Sequence, residues 1–89
     1  MNYFVYIIKS DFDGTFYKGF STDPLKRLFA HNNADSQFTS SKIPWSLVAV
    51  FVFDNKKSAL IFERKIKKYS RDKILLLINR EDNIVHSFL

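Results

Sequence analysis

Apolar positions fall along the chain in runs of two distinct kinds, and the breaks between them are as informative as the runs. Residues 3–9, YFVYIIK, are dense in β-branched and aromatic side chains, which predicts a buried strand. Residues 11–14, DFDG, interrupt that run with turn formers, and Gly14 tolerates positive φ, so a hairpin closes there and 15–20, TFYKGF, return as a second strand. Asp23 followed by Pro24 reads as an N-cap with proline at the first helical position. Leu25, Leu28 and Phe29 then recur at helical spacing, predicting a helix that packs by that face and fades near Asn32 or Asn33. Residues 34–44 are polar and end in Pro44, which marks a loop. The most apolar run, SLVAVFVF at 46–53, is expected to be the strand with the most neighbours. Asp54 or Asn55 can cap a helix over 56–69 that lines up Ala59, Phe62, Ile66 and Tyr69, and Ser70 can cap a third through about Asn79. The last ten residues, REDNIVHSFL, show no clear period and are expected to be a tail beyond a domain of residues 1–79. The order β-β-α-β-α-α predicts an α+β fold, a small antiparallel or mixed sheet with helices on its faces.

Composition narrows the class. A chain of 89 residues suits one domain with a small core, and ten phenylalanines, four tyrosines and a tryptophan supply the area such a core must bury. The absence of cysteine excludes disulfides and thiolate metal sites. With no basic leader and no apolar stretch of membrane-spanning length, a soluble cytoplasmic protein is expected. The net charge of +5 favours a polyanionic partner. Its distribution is sharper: eight of the 14 basic residues lie between Lys56 and Lys73, among only two acids, Glu63 and Asp72. Phosphate backbone is one natural partner of such a face, and a solvated helix surface accounts for it equally well. Lys18, Lys26, Lys42, Arg64, Lys67, Lys68 and Arg71 are the candidate nucleic-acid contacts.

Candidate chemistry comes from five other residues. If the hairpin loop is 11–14, Ser10 pairs with Thr15 and Tyr6 stands opposite Gly19, with Tyr17 its diagonal neighbour on the same face. Gly19 would leave open space over Tyr6, where two phenols could hold a water or a phosphate oxygen; ordinary core aromatics are the plainer reading. Arg27 and His31 share a helix face, expected to be distinct from that of Leu25 and Leu28. Arginine offers a fixed fork matched to phosphate, and histidine moves protons near neutral pH. Glu63, alone in ERKIKK, could pair with Lys67 or hold a hard divalent cation through oxygen. A Gly-rich phosphate loop, a zinc ligand cluster and a serine-histidine-acid pattern are all missing.

The ordered set resembles one family. FVY at Phe4–Tyr6 and YKG at Tyr17–Gly19 are similar to the two defining motifs of the GIY-YIG nucleases, with Arg27, His31 and Glu63 where that family has its arginine, histidine and metal-binding glutamate. HN at His31–Asn32, FTSSKIPW at Phe38–Trp45 and KIKKYSRDK at Lys65–Lys73 look like its small stand-alone bacterial members. The chain departs from the motifs at Phe4, where glycine is named, and at Lys18, where isoleucine is named; Phe20 stands where some relatives carry lysine. The resemblance implies a three-stranded antiparallel sheet flanked by helices and hydrolysis of phosphodiesters with one divalent metal, Mg2+ or Mn2+. It implies water activation by Tyr6 or Tyr17, phosphate stabilisation by Arg27, proton relay or ester contact by His31, and metal binding by Glu63. DNA is expected over RNA, chosen by shape rather than sequence, with a partner protein supplying further specificity. The alternative is a nucleic-acid-binding module with weak or absent catalysis. Tyr6→Phe, Arg27→Ala and Glu63→Ala are expected to behave as surface changes, and Trp45 and Phe51 as core.

Overall fold

A computed structural model describes all 89 residues. Its centre is a three-stranded antiparallel sheet of β1 (Tyr3–Ser10), β2 (Phe16–Ser21) and β3 (Trp45–Phe53) in the order β2-β1-β3. The hairpin register is the one the turn chemistry dictates: Ser10 N–H donates to Thr15 O at 2.8 Å, and Tyr6 pairs with Gly19. β1, not β3, is the central strand. The apolarity of β3 therefore reports burial of its faces rather than strand neighbours on both sides. A bulge between Ile7 and Ile8 shifts its pairing with β1.

The sheet separates two cores. On one face Val5, Ile7, Ala49 and Phe51 pack against Ala59 and Ile66 of α3 (Lys56–Ile66) and Ile74 and Leu77 of α4 (Arg71–Ile78). On the other, Tyr6, Ile8, Trp45, Leu47 and Val50 pack with Leu28 of α1 (Pro24–Asn32) and with Ile84, Val85 and Phe88 near the C-terminus. The helix starts obey local rules. Asp23, Asn55 and Ser70 each cap a helix by accepting from a backbone N–H three residues on, at 3.1, 2.8 and 3.3 Å.

Four expectations need correction. The buried side of α1 is Pro24, Leu28 and His31, while Leu25 and Phe29 face solvent, Phe29 with 68% of its surface exposed. The reason is that the imidazole finds polar partners inside, so the helix turns it inward. α3 stops at Ile66; Lys67–Tyr69 continue only as a turn, held by Lys68 N–H on Lys65 O and Tyr69 N–H on Ile66 O. The polar segment 34–44 contains a helical turn, α2 (Gln37–Ser40). The period-less last residues are ordered by Asn83, which is buried: its Oδ1 accepts from Val50 and Val85 N–H, and its Nδ2 donates to Val48 O and Ile78 O. With Ile84 N–H on Val50 O at 2.9 Å, this segment covers the outer edge of β3 and ends in a 3-10 turn, Val85–Phe88.

Candidate functional site

Tyr6, Tyr17 and His31 meet on the α1 face of the sheet, at the β1–β2 hairpin. The Tyr6 ring lies across Gly19, so the space expected above Tyr6 is filled by its own ring rather than left for a ligand; a Cβ at Gly19 would overlap the Tyr6 hydroxyl. That hydroxyl reaches His31 Nε2 at 2.9 Å. On the far side of the imidazole, Nδ1 lies 2.9 Å from Thr39 Oγ1, whose hydroxyl points on to Ser36 O at 3.4 Å. With the Thr39 hydroxyl turned toward that carbonyl, we assign Nδ1–H as the donor to Thr39 and Nε2 as the acceptor of the Tyr6 proton. The result is a directed chain, Tyr6 to His31 to Thr39 to Ser36, with Tyr6, His31 and Thr39 all fully buried. Tyr6 is thus no surface residue, and removing its hydroxyl would orphan the imidazole.

The two phenols differ. Tyr17 is half-buried, its ring 4.9 Å from that of His31 and 6.5 Å from that of Tyr6, and its hydroxyl makes no hydrogen bond within the protein. Burial pushes the Tyr6 phenol above its ordinary pKa, and the nearby Arg27 guanidinium pulls it partly back. Burial also pushes the His31 imidazole below its ordinary value, and the positive charge of Arg27 adds to that. Both therefore stay neutral near pH 7, with the proton on Tyr6 and the lone pair on His31. Arg27 is exposed one helical turn before His31 and is felt electrostatically by both.

Glu63 comes from a different element than these four. It belongs to α3, on the opposite face of the sheet, and its carboxylate lies 3.5 Å from Lys67 Nζ. Its charge nevertheless reaches Tyr6, and Lys67 is felt at half-buried Lys18 of β2, whose pKa burial and that neighbour both lower. No group of three or more acidic or imidazole side chains converges anywhere in the molecule. A single carboxylate, with only 16% of its side chain exposed, is nonetheless a sufficient protein ligand for magnesium when water and phosphate oxygens complete the shell, so the donor chemistry fits. The other basic candidates divide. Lys42 is held by Asp13 at 2.6 Å, and Arg71 donates to Gly14 O at 2.8 Å and covers the Phe16 ring. Lys26, Arg64 and Lys68 are exposed and form no ion pair.

Thr39, Asn32 and Trp45 support the site from behind; in the sequence they entered only within the HN and FTSSKIPW segments of the family resemblance, with no chemical role assigned. Asn32 at the end of α1 bonds both backbone groups of Trp45, at 2.6 and 3.0 Å, and Trp45 Nε1–H donates to Thr39 O at 2.9 Å. The helix, α2 and the start of β3 are thereby locked together behind His31.

A family model for the GIY-YIG catalytic domain matches residues 2–75. The chain belongs to the GIY-YIG family. This is a nuclease family, and the segments that carry the match include the whole Tyr6–Tyr17–His31 cluster as well as Arg27 and Glu63. Among relatives of this GIY-YIG domain, the UPF0213 protein SSP2268 of Staphylococcus saprophyticus is 40% identical over 78 residues, covering 86% of this chain and 94% of that protein. The UPF0213 protein YsiG of Lactococcus lactis is 35% identical over 88 residues, covering 98% and 84%. The solution NMR structure of the UPF0213 protein BH0048 from Bacillus halodurans superposes with a TM-score of 0.60 at 30% identity, over 99% of this GIY-YIG chain and 94% of the other. No helix here is long and apolar enough to cross a membrane.

Proposed function

We propose that this GIY-YIG domain is an endonuclease that hydrolyses DNA phosphodiesters in the cytoplasm with one divalent metal ion, Mg2+ or Mn2+, selecting substrates by shape. The observation that carries the reading is the directed proton chain ending on a neutral imidazole: the Tyr6 hydroxyl 2.9 Å from His31 Nε2, with Arg27 beside both. As a water attacks phosphorus, Tyr6 oxygen takes a proton from the water while its own proton passes to His31 Nε2. Tyr6 ends neutral, and His31 ends as an imidazolium whose Nδ1–H remains anchored on Thr39. Burial raises the phenol's pKa and so keeps its basic phenolate form scarce, and the concerted transfer of its proton to His31 is what makes it competent. Arg27 stabilises the charge on the phosphoryl oxygens, and the unpartnered Tyr17 hydroxyl contacts the substrate. Glu63 would hold the metal, which supplies charge neutralisation at the phosphate. Exposed Lys26, Arg64 and Lys68 add attraction for the backbone without base readout, and a partner protein supplies finer choice.

The test is incubation of the purified protein with labelled flapped, branched, single-stranded and duplex DNA in Mg2+ or Mn2+. Cleavage is expected on the non-duplex substrates and should fall by about 100-fold or more in Tyr6→Phe and Glu63→Gln, the scale of lost acid–base or electrostatic catalysis. Glu63→Gln should melt close to wild type, since the side chain keeps its size and the i,i+4 pair with the half-exposed Lys67 is worth only about 0.3–0.5 kcal/mol. Undiminished cleavage by Glu63→Gln would overturn the assignment.

A further inference from the structure

One large aromatic side chain next to the site has no structural task. Phe38 stands on α2 with 63% of its surface exposed, although the residue after it, Thr39, is fully buried and bonded to His31. Its ring lies 5.8 Å from that of Tyr17, which in turn touches the rings of His31 and Trp45. Phe38 is therefore the solvent end of an aromatic series that runs inward to the proton chain. Its position is not incidental to the site: α2 is held by the His31–Thr39 bond and by Trp45 Nε1–H on Thr39 O. The chain flanking it offers no free cation: Gln37, Ser40 and Ser41 are neutral, Lys42 is held by Asp13, and Asp35 is an exposed acid. A phosphate has nothing to grip there, whereas the flat face of a base does.

We propose that Phe38 is a stacking platform for an unpaired base of single-stranded DNA adjacent to the scissile phosphate; this rests on the phosphodiesterase reading of the site. In an intact duplex, base faces are covered by their neighbours, so an outstanding ring gains nothing from it. Splayed bases in flaps, ends and single strands offer that face, and aromatic side chains take it with little regard to sequence. Phe38 thus supplies the physical basis for choosing substrates by shape, next to a backbone grip that reads charge alone.

Binding measured in EDTA, where no cleavage is required, separates this inference from the nuclease reading. Fluorescence anisotropy would compare a labelled dT 12-mer, an abasic 12-mer with the same phosphates, and a 12-base-pair duplex. Wild type should prefer the dT strand to the abasic strand by about 5- to 150-fold, the equivalent of about 1–3 kcal/mol of stacking on one base. Phe38→Ala and Phe38→Leu should bring the two strands within about twofold, Phe38→Trp should keep the preference, and all three should melt near wild type. Equal wild-type affinity for the two strands, or no affinity for either, would overturn the proposal. So would proportional loss of both in Phe38→Ala, or retention by Phe38→Leu, which would mark an apolar contact for a partner protein. Tighter binding of a U 12-mer of RNA than of dT would overturn the DNA assignment. Absence of cleavage with the preference intact would sink the nuclease reading alone.

Discussion

Gly19→Ala should be far more damaging than a one-carbon change in a strand at the edge of the sheet would suggest. The backbone of Gly19 does not lie at positive φ, so conformation alone would admit alanine. The obstacle is the Tyr6 ring: the added Cβ would overlap its hydroxyl and Cζ and stand 2.8 Å from Cε1. A long flexible side chain could move aside, but Tyr6 is fully buried and tied to His31, so its ring cannot shift without opening the 2.9 Å bond. Overpacking of this kind costs about 1–3 kcal/mol, and leaving the buried Tyr6–His31 pair unsatisfied adds about 1–3 more. The lower unfolded-state entropy of alanine returns about 0.4–1 kcal/mol. A net loss of about 1–6 kcal/mol remains, which for a domain of this size lowers Tm by at least about 4 °C. Thermal and urea denaturation of Gly19→Ala would measure it. Adding Tyr6→Leu, which removes the obstructing ring, should make the pair of changes less costly than their sum, whereas Tyr6→Phe should not, because Cζ remains in the way. A Gly19→Ala protein melting within about 2 °C of wild type would refute the reasoning.

Acid should destabilise the protein well above the range where carboxylates titrate. Burial holds folded His31 below the ordinary value of 6.5, so the unfolded chain takes up its proton first. Stability should be level above about pH 7 and decline as pH falls through 6.5 toward the folded pKa; cleavage should fall in the same direction as His31 loses its lone pair. Urea curves at pH 7.5, 6 and 5 would show it, and equal stability at all three would contradict it. Asp13, held far below its ordinary 3.8 chiefly by Lys42, contributes its own loss only under that value. Asn83→Ala should cost about 2–4 kcal/mol, since it strips partners from Val50, Val85, Val48 and Ile78 at once. Asn83→Asp keeps the acceptor and should fall between that variant and wild type in a thermal melt; a melt of Asn83→Ala matching wild type would show that the edge of β3 needs no cover.

What could be read from the chain itself is what short-range physics decides. Asp23, Asn55 and Ser70 cap helices because a side-chain oxygen needs only an N–H three residues away. The pairing of Tyr6 with Gly19 follows once DFDG closes the turn, because antiparallel register is then counted outward from the loop. Tyr6, Tyr17, Arg27, His31 and Glu63 stood out singly only as residue types on predicted elements, and as a set only through the resemblance to the GIY-YIG motifs. The tertiary structure alone decided the rest. Whether His31 faces solvent or core depends on a phenol 25 residues before it and a hydroxyl eight residues after it, and only their convergence makes a buried neutral imidazole tolerable. The same holds for β3, whose place at an edge is acceptable because Asn83 arrives from 33 residues away to satisfy Val50. It holds for Phe38, whose exposure follows from Thr39 being drawn inward beside it. Each is a polar or aromatic group whose environment is supplied by distant chain, and no local pattern encodes a partner that only folding brings near.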